Sequence, residues 1–193
     1  MKRKQSKLLL YFVCVCLLIL YIGHKSGYAL SESKALEDSY PHEDGEAVYH
    51  HSFGTKKIVI WKTKHLDYVK LVTTKWGFLY RVSYVSQILP SASEPNTIKR
   101  TWSAHLNAKK RYETIFAVET VNPEIKSIII SNDSIDDVIA DDLDVIKSNS
   151  TVCIELPVIN GYVASYQELS PQDSTAFIFR GMDKNGNMVS VTR

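Results

Sequence analysis

Lys57-Ile58-Val59-Ile60-Trp61, Tyr68-Val69-Lys70-Leu71-Val72-Thr73 and Trp76-Gly77-Phe78-Leu79-Tyr80-Arg81-Val82-Ser83-Tyr84-Val85 follow one another with only short polar connectors between them. All three runs are rich in β-branched and aromatic residues, the composition that suits a pleated, half-buried surface. They read as three strands of an antiparallel meander. Working outward, the strand texture begins at Ala47, and Pro90–Asn96 is a loop by composition that divides the region into lobes 46–90 and 97–193.

Beyond that loop, Trp102, His105, Leu106 and Lys109 share a helical face, so the spacing predicts a short helix within Ile98–Lys110. Tyr112–Val121 and Ile125–Ile130 read as strands around the turn Asn122-Pro123-Glu124. Asp133–Lys147 carries apolar residues at helical spacing behind a capping Asp133 or Ser134, with a strand ending in a loop as the competing reading. Val152–Val158 and Tyr162–Tyr166 are strands around Asn160-Gly161. Asn185-Gly186 between two apolar runs is the strongest hairpin signal in the chain. The fold expected is mainly β and antiparallel, a sandwich or two small lobes, with one or two short helices behind an N-terminal membrane helix.

That N-terminal helix is read from the first 23 residues. Lys2, Arg3, Lys4 and Lys7 precede Leu8–Ile22, which holds no charge, Pro or Gly. A cationic flank before an apolar run marks a signal peptide or a signal anchor. The positive-inside rule places residues 1–7 in the cytoplasm and the rest of the chain outside. As a helix the apolar run reaches about 24 Å at about 1.5 Å per residue, the short end of a full span. Tyr11 and Tyr21 at the interfaces, with Lys7 and Lys25 snorkelling, would close the gap. A retained anchor over 8–23 is the preferred reading. Gly27-Tyr28-Ala29 offers small residues where a signal peptidase reads, so secretion after cleavage at Ala29 is the alternative. Residues 24–45 have little apolar content and are expected to be a flexible tether, with a helical turn near Ser33–Asp38.

What remains is enough for one domain with a real core. Cys153 is the one cysteine outside the apolar run, which excludes an intramolecular disulfide there. It is best read as a strand residue, since reactivity would need a base and a lowered thiol pKa. The net charge of +2 hides a division: residues 46–111 carry twelve Lys/Arg against three Asp/Glu, and residues 112–193 carry five against thirteen. Two such halves either face each other or present opposite fields to partners; for one compact domain the first reading is preferred.

Two clusters are candidate sites. Lys99, Arg100, Trp102, Lys109, Lys110 and Arg111 mix cations with an aromatic, as polyanion binders do. The preferred reading is a solvated basic face that pairs with the acidic half; as a binding site outside a membrane, its partner would be an anionic envelope polymer or lipid rather than nucleic acid. Asp137, Asp141 and Asp142 lie in a run of six Asp within 133–144; on a helix these form the solvated face, with a hard-cation site as the alternative, although the alternating calcium-loop pattern is absent. His24, His42, His50, His51, His65 and His105 have no zinc spacing. Nucleophile elbow, phosphate loop, zinc-protease and Cys-x-x-Cys motifs are missing, and no cofactor is expected.

The Lys75–Arg81 segment, the Tyr112…Asn122-Pro123-Glu124-Ile125-Lys126 stretch and the Asp183–Asn187 hairpin, all behind a short N-terminal anchor, resemble uncharacterised small extracytoplasmic proteins of Bacillus-type Gram-positive bacteria. The resemblance implies one membrane segment and a strand-rich outer domain, and carries over no site residues. The function expected is a non-enzymatic, membrane-tethered binding or interaction module. The alternatives are an envelope-directed enzyme using Cys153 or the Asp run, and a cation-responsive envelope regulator.

Overall fold

The computed structural model describes residues 2–90, 98–133, 143–174 and 176–192. Its strands are β1 (Gly45–Phe53), β2 (Lys56–Thr63), β3 (Asp67–Lys75), β4 (Leu79–Gln87), β5 (Leu89–Pro90), β6 (Ile98–Leu106), β7 (Tyr112–Thr120), β8 (Ser127–Ser131), β9 (Cys153–Pro157), β10 (Tyr162–Leu169), β11 (Ile178–Met182) and β12 (Met188–Thr192). Helices are α1 (Lys2–Lys25), α2 (Glu32–Glu37) and α3 (Leu143–Ser148). The strands form three four-stranded sheets with orders β1-β2-β3-β4, β10-β7-β6-β5 and β12-β11-β8-β9, named here A, B and C. Their pairings are antiparallel.

Side-chain alternation stacks the sheets. In β2 and β3, Ile58 opposite Leu71 and Ile60 opposite Val69 share one face. They pack against Ile115 and Ala117 of β7 and Ala164 of β10. The other face of β7, Phe116 and Val118, packs on Ile128 and Ile130 of β8 and on Phe177 and Phe179. Sheet B is therefore the middle of three β layers. That explains why Ile115-Phe116-Ala117-Val118 is apolar without alternation: both faces of the strand are covered.

The two short helices close the stack. α2 is capped by the Ser31 hydroxyl, which accepts from the Lys34 N–H. It lays Leu36 on the outer face of sheet A, against Val59, Trp61, Tyr68 and Val72. α3 lays Ile146 on the outer face of sheet C, against Ile129 and Met182. The layers run α2, A, B, C, α3.

Several expectations are corrected. Ile98–Lys110 is not a helix: β6 spans Ile98–Leu106 and pairs with β7 along its whole length. Burial of Ile98 and packing of Trp102 against the core reward the strand more than the coincidental helical spacing would. The turn that follows is built by Asn107, whose side-chain oxygen accepts from the N–H groups of Lys109 and Arg111. The stretch expected as a tether is ordered over much of its length. Ala35 and Leu36 are buried, and Ala29 bridges to Tyr80. The expected helical turn near Ser33–Asp38 lies within α2 and its cap.

The expected lobe boundary, 90–96, lies outside the described residues apart from Pro90, which already belongs to β5 of sheet B, and sheets A and B share one core. The Asn185-Gly186 hairpin forms as read, with Gly186 at φ +82° and the Asp183 carboxylate accepting from the N–H groups of Asn185 and Asn187. Among the described residues no helix is long and apolar enough to cross a membrane; in α1, side chains are described at 9–15, 17–19, 21, 23 and 25. α1 ends in a left-handed cap, with Gly27 at φ +77° and the Tyr28 N–H donating to the Gly23 carbonyl at 2.9 Å.

Candidate functional site

A polar constellation beside two hollows lies where one end of sheet A meets sheet B. Asp67 opens β3, Glu119 is the last residue but one of β7 and Tyr162 opens β10, and all three are buried. The Tyr162 hydroxyl donates to the Asp67 carboxylate at 3.2 Å. Lys99 donates to Glu119 at 2.8 Å, and the Lys62 amine stands 3.5 Å from the Tyr162 hydroxyl. Two adjoining hollows of 620 and 290 Å³ share Lys62 and Glu119 in their walls and together make one cleft. Carboxylates form its floor, and exposed Glu46, Lys62, Lys64 and His65 form its rim.

Electrostatics follow from that geometry. Burial pushes the Asp67 carboxyl up, Glu119 pushes it the same way, and Lys62 opposes both. Burial, reinforced by Asp67 and Glu119, pushes the Tyr162 phenol well above its ordinary range. Tyr162 thus stays a protonated donor at neutral pH rather than a nucleophile, and Lys99 is held by Glu119. Fixed donors, acceptors and charges of both signs are thus gathered along one cleft.

A second cluster joins the same two sheets elsewhere. The Lys56 amine pairs with Glu113, donates to the Tyr166 hydroxyl at 2.6 Å and lies 4.5 Å from the Tyr166 ring centroid. Burial opposes its charge, but Glu113 and Tyr166 hold its pKa above the ordinary value. Here a cation of the basic half meets an anion of the acidic half across the A–B interface.

The residues singled out from sequence are not brought together. Lys99 and Arg100, being adjacent on a strand, point to opposite faces. Lys99 joins the cleft, whereas Arg100 turns towards sheet C, its guanidinium 5.2 Å from the Phe179 ring and its Nε donating to the Thr192 hydroxyl. Burial lowers its pKa. Trp102 is packed edge-on against Phe177 at 5.1 Å. Lys109 and Lys110 are exposed on the β6–β7 turn, and the Arg111 guanidinium donates to the Glu168 carbonyl. Asp137, Asp141 and Asp142 lie outside the described residues, and among those described no group of His, Cys, Asp or Glu could hold a metal ion. Cys153 is half-buried at the start of β9, and burial pushes its thiol up, away from the thiolate that a nucleophile needs. Asp67, Glu119 and Tyr162 carry no local signal; they converge only because three strands do.

One further buried cation is structural. Lys70 is fully buried on the outer face of sheet A, donating to the Leu36 carbonyl at 2.8 Å and the Ser39 hydroxyl at 2.9 Å, with the Trp61 ring centroid 4.8 Å away. It ties α2 to the sheet. Burial pushes its pKa down to about 8. Between that value and the ordinary 10.5, the unfolded chain holds the proton that the folded chain has released, so stability rises with pH. Compared with Lys70→Met, the wild-type melting temperature should climb between pH 8 and 10; parallel curves would show that the amine is not desolvated.

No family model matches the chain, and no curated protein or solved structure matches it.

Proposed function

We propose that this chain is a non-enzymatic binding module, held on the outer face of a membrane by α1 and presenting the Asp67–Glu119–Tyr162 cleft to an anionic envelope polymer or envelope protein. The observation that carries the reading is the surface of α1. Leu9, Leu10, Tyr11, Phe12, Val13, Val15, Leu17, Leu18, Ile19 and Tyr21 are all exposed, on every side of the helix. A helix apolar all round needs an apolar surrounding, which the folded domain does not supply. The cationic residues before its apolar run favour an N-terminus in the cytoplasm and a domain outside. Retention is favoured over cleavage after Ala29. Cleavage there would discard the Ala29–Tyr80 pairing and the stacking of Arg81 on Tyr28 that join the helix to sheet A.

A nucleophilic role for Cys153 is disfavoured by the burial that pushes its thiol up. Membrane fractionation with outside-only protease digestion tests the tether. Full-length protein in the membrane fraction, cut from outside, is expected; a species beginning at Leu30 in the medium would replace the anchor with secretion. For the cleft, Lys62→Glu combined with Lys64→Glu should weaken retention on an anionic wall polymer about tenfold, which is about 1.4 kcal/mol. Unchanged retention would remove the cleft as the binding surface.

A further inference from the structure

A hollow of 540 Å³ lies between the segment that leaves α1 and the edge strand β4. Ser26, Gly27, Tyr28 and Leu30 form one wall, and Arg81 and Val82 form the other. These first residues follow α1 directly, with no linker: the cap at Gly27 leads at once into the Ala29–Tyr80 pairing, whose two hydrogen bonds are 2.8 and 2.9 Å. If α1 lies in a bilayer, the hollow therefore sits at the level of the lipid headgroups.

The chemistry of the hollow suits that level. Arg81 is exposed, and its guanidinium lies 5.8 Å from the Tyr28 ring centroid. That stacking orients the planar fork while leaving its N–H groups for an acceptor. The carboxylate in the wall, Asp38, is paired with Lys34 at 2.7 Å, which leaves Arg81 as the uncompensated charge among the lining residues. Leu30, 61 % exposed, and Val82 add apolar surface beside the cation. The same edge continues into the β3–β4 turn, where Trp76 is 65 % and Phe78 48 % exposed and the Lys75 amine lies 4.9 Å from the Trp76 ring centroid. Aromatic rings with adjacent lysines are the residues that settle at a membrane–water interface.

We propose that this hollow is a binding site for the phosphodiester headgroup of an anionic phospholipid, with Arg81 as the phosphate ligand. The proposal rests on the reading of α1 as a membrane anchor and adds to it a specific lipid and a residue that selects it. The full chain, purified in detergent, would be titrated with phosphatidylglycerol and with phosphatidylcholine and read by native mass spectrometry. One phosphatidylglycerol should bind at least tenfold more tightly than phosphatidylcholine, and Arg81→Gln should abolish the preference while Arg81→Lys keeps part of it.

Equal binding of the two lipids, or an unchanged preference in Arg81→Gln, would overturn the site. Displacement of the bound lipid by millimolar inorganic phosphate would overturn the assignment to a lipid and leave a phosphate site. The anchor is read separately, by flotation of the reconstituted protein with vesicles of phosphatidylcholine alone. Flotation without a lipid preference rejects the headgroup site and keeps the anchor; failure to float rejects the anchor and, with it, this proposal.

Discussion

Arg180→Ala should lower the stability of the domain by about 3–5 kcal/mol at neutral pH. Arg180 and Asp133 are both buried, their side chains 4 % and 0 % exposed. The guanidinium donates from both terminal nitrogens to the two carboxylate oxygens, at 2.8 and 3.0 Å. Ser131 completes the group, accepting from Arg180 and donating to Asp133, each at 2.6 Å. Removing the cation strands a carboxylate where water does not reach, and that desolvation cost falls on the folded state alone. The double variant Arg180→Met with Asp133→Leu removes both charges and should recover most of the loss. Urea unfolding of the three proteins checks this. A loss below about 1 kcal/mol in Arg180→Ala would mean that water reaches Asp133.

Phe116→Ala is expected to cost about 3–5 kcal/mol by a different route. Phe116 is fully buried on β7, facing sheet C, with ring centroids 4.7 Å from Phe177 and 6.3 Å from Phe179, both nearly edge-on. It sits in the middle layer, held in the β7 ladder by neighbours on both sides, so the walls cannot collapse to fill the void. Phe116→Leu, which keeps most of the volume, should cost less than half as much. Denaturant midpoints with unchanged slopes would confirm a packing loss in the native state. Equal losses for the two variants would point instead to the aromatic contacts with Phe177 and Phe179.

Much of the sheet content was legible because strands announce themselves locally. Ile58–Trp61, Tyr68–Thr73 and Tyr112–Thr120 are rich in β-branched and aromatic residues, and Asn185-Gly186 fits a turn that favours positive φ. Layer order was not legible. The unbroken apolar run at Ile115–Val118 says that both faces of a strand are covered, but not by what. β6 misled because Trp102, His105, Leu106 and Lys109 happen to repeat at helical spacing, while the burial that decides the matter comes from β7 and sheet C. α2 was underrated because Leu36 and Ala35 are isolated in a polar stretch; two side chains suffice when a buried lysine, thirty-four residues on, hydrogen-bonds the Leu36 carbonyl.

The cleft was invisible for a related reason. Asp67 and Tyr162 are ninety-five residues apart, so no local spacing links them. The basic cluster looked like a patch in sequence, yet strand alternation sends Lys99 and Arg100 to opposite sides of sheet B, and Trp102 goes into the core.

The placement of sheet B between A and C sets an order of events on emergence from a ribosome or a translocation channel. The four strands of sheet A are complete once residue 87 has emerged, while sheet B waits for β10, which ends at Leu169. Until β7 emerges, the nascent meander displays Ile58, Ile60, Val69 and Leu71 with no part of sheet B to cover them, and the cover is completed only when Ala164 of β10 follows. A chaperone or a nearby membrane surface that shelters this face should therefore govern the yield of folded protein more than any single contact in the finished molecule.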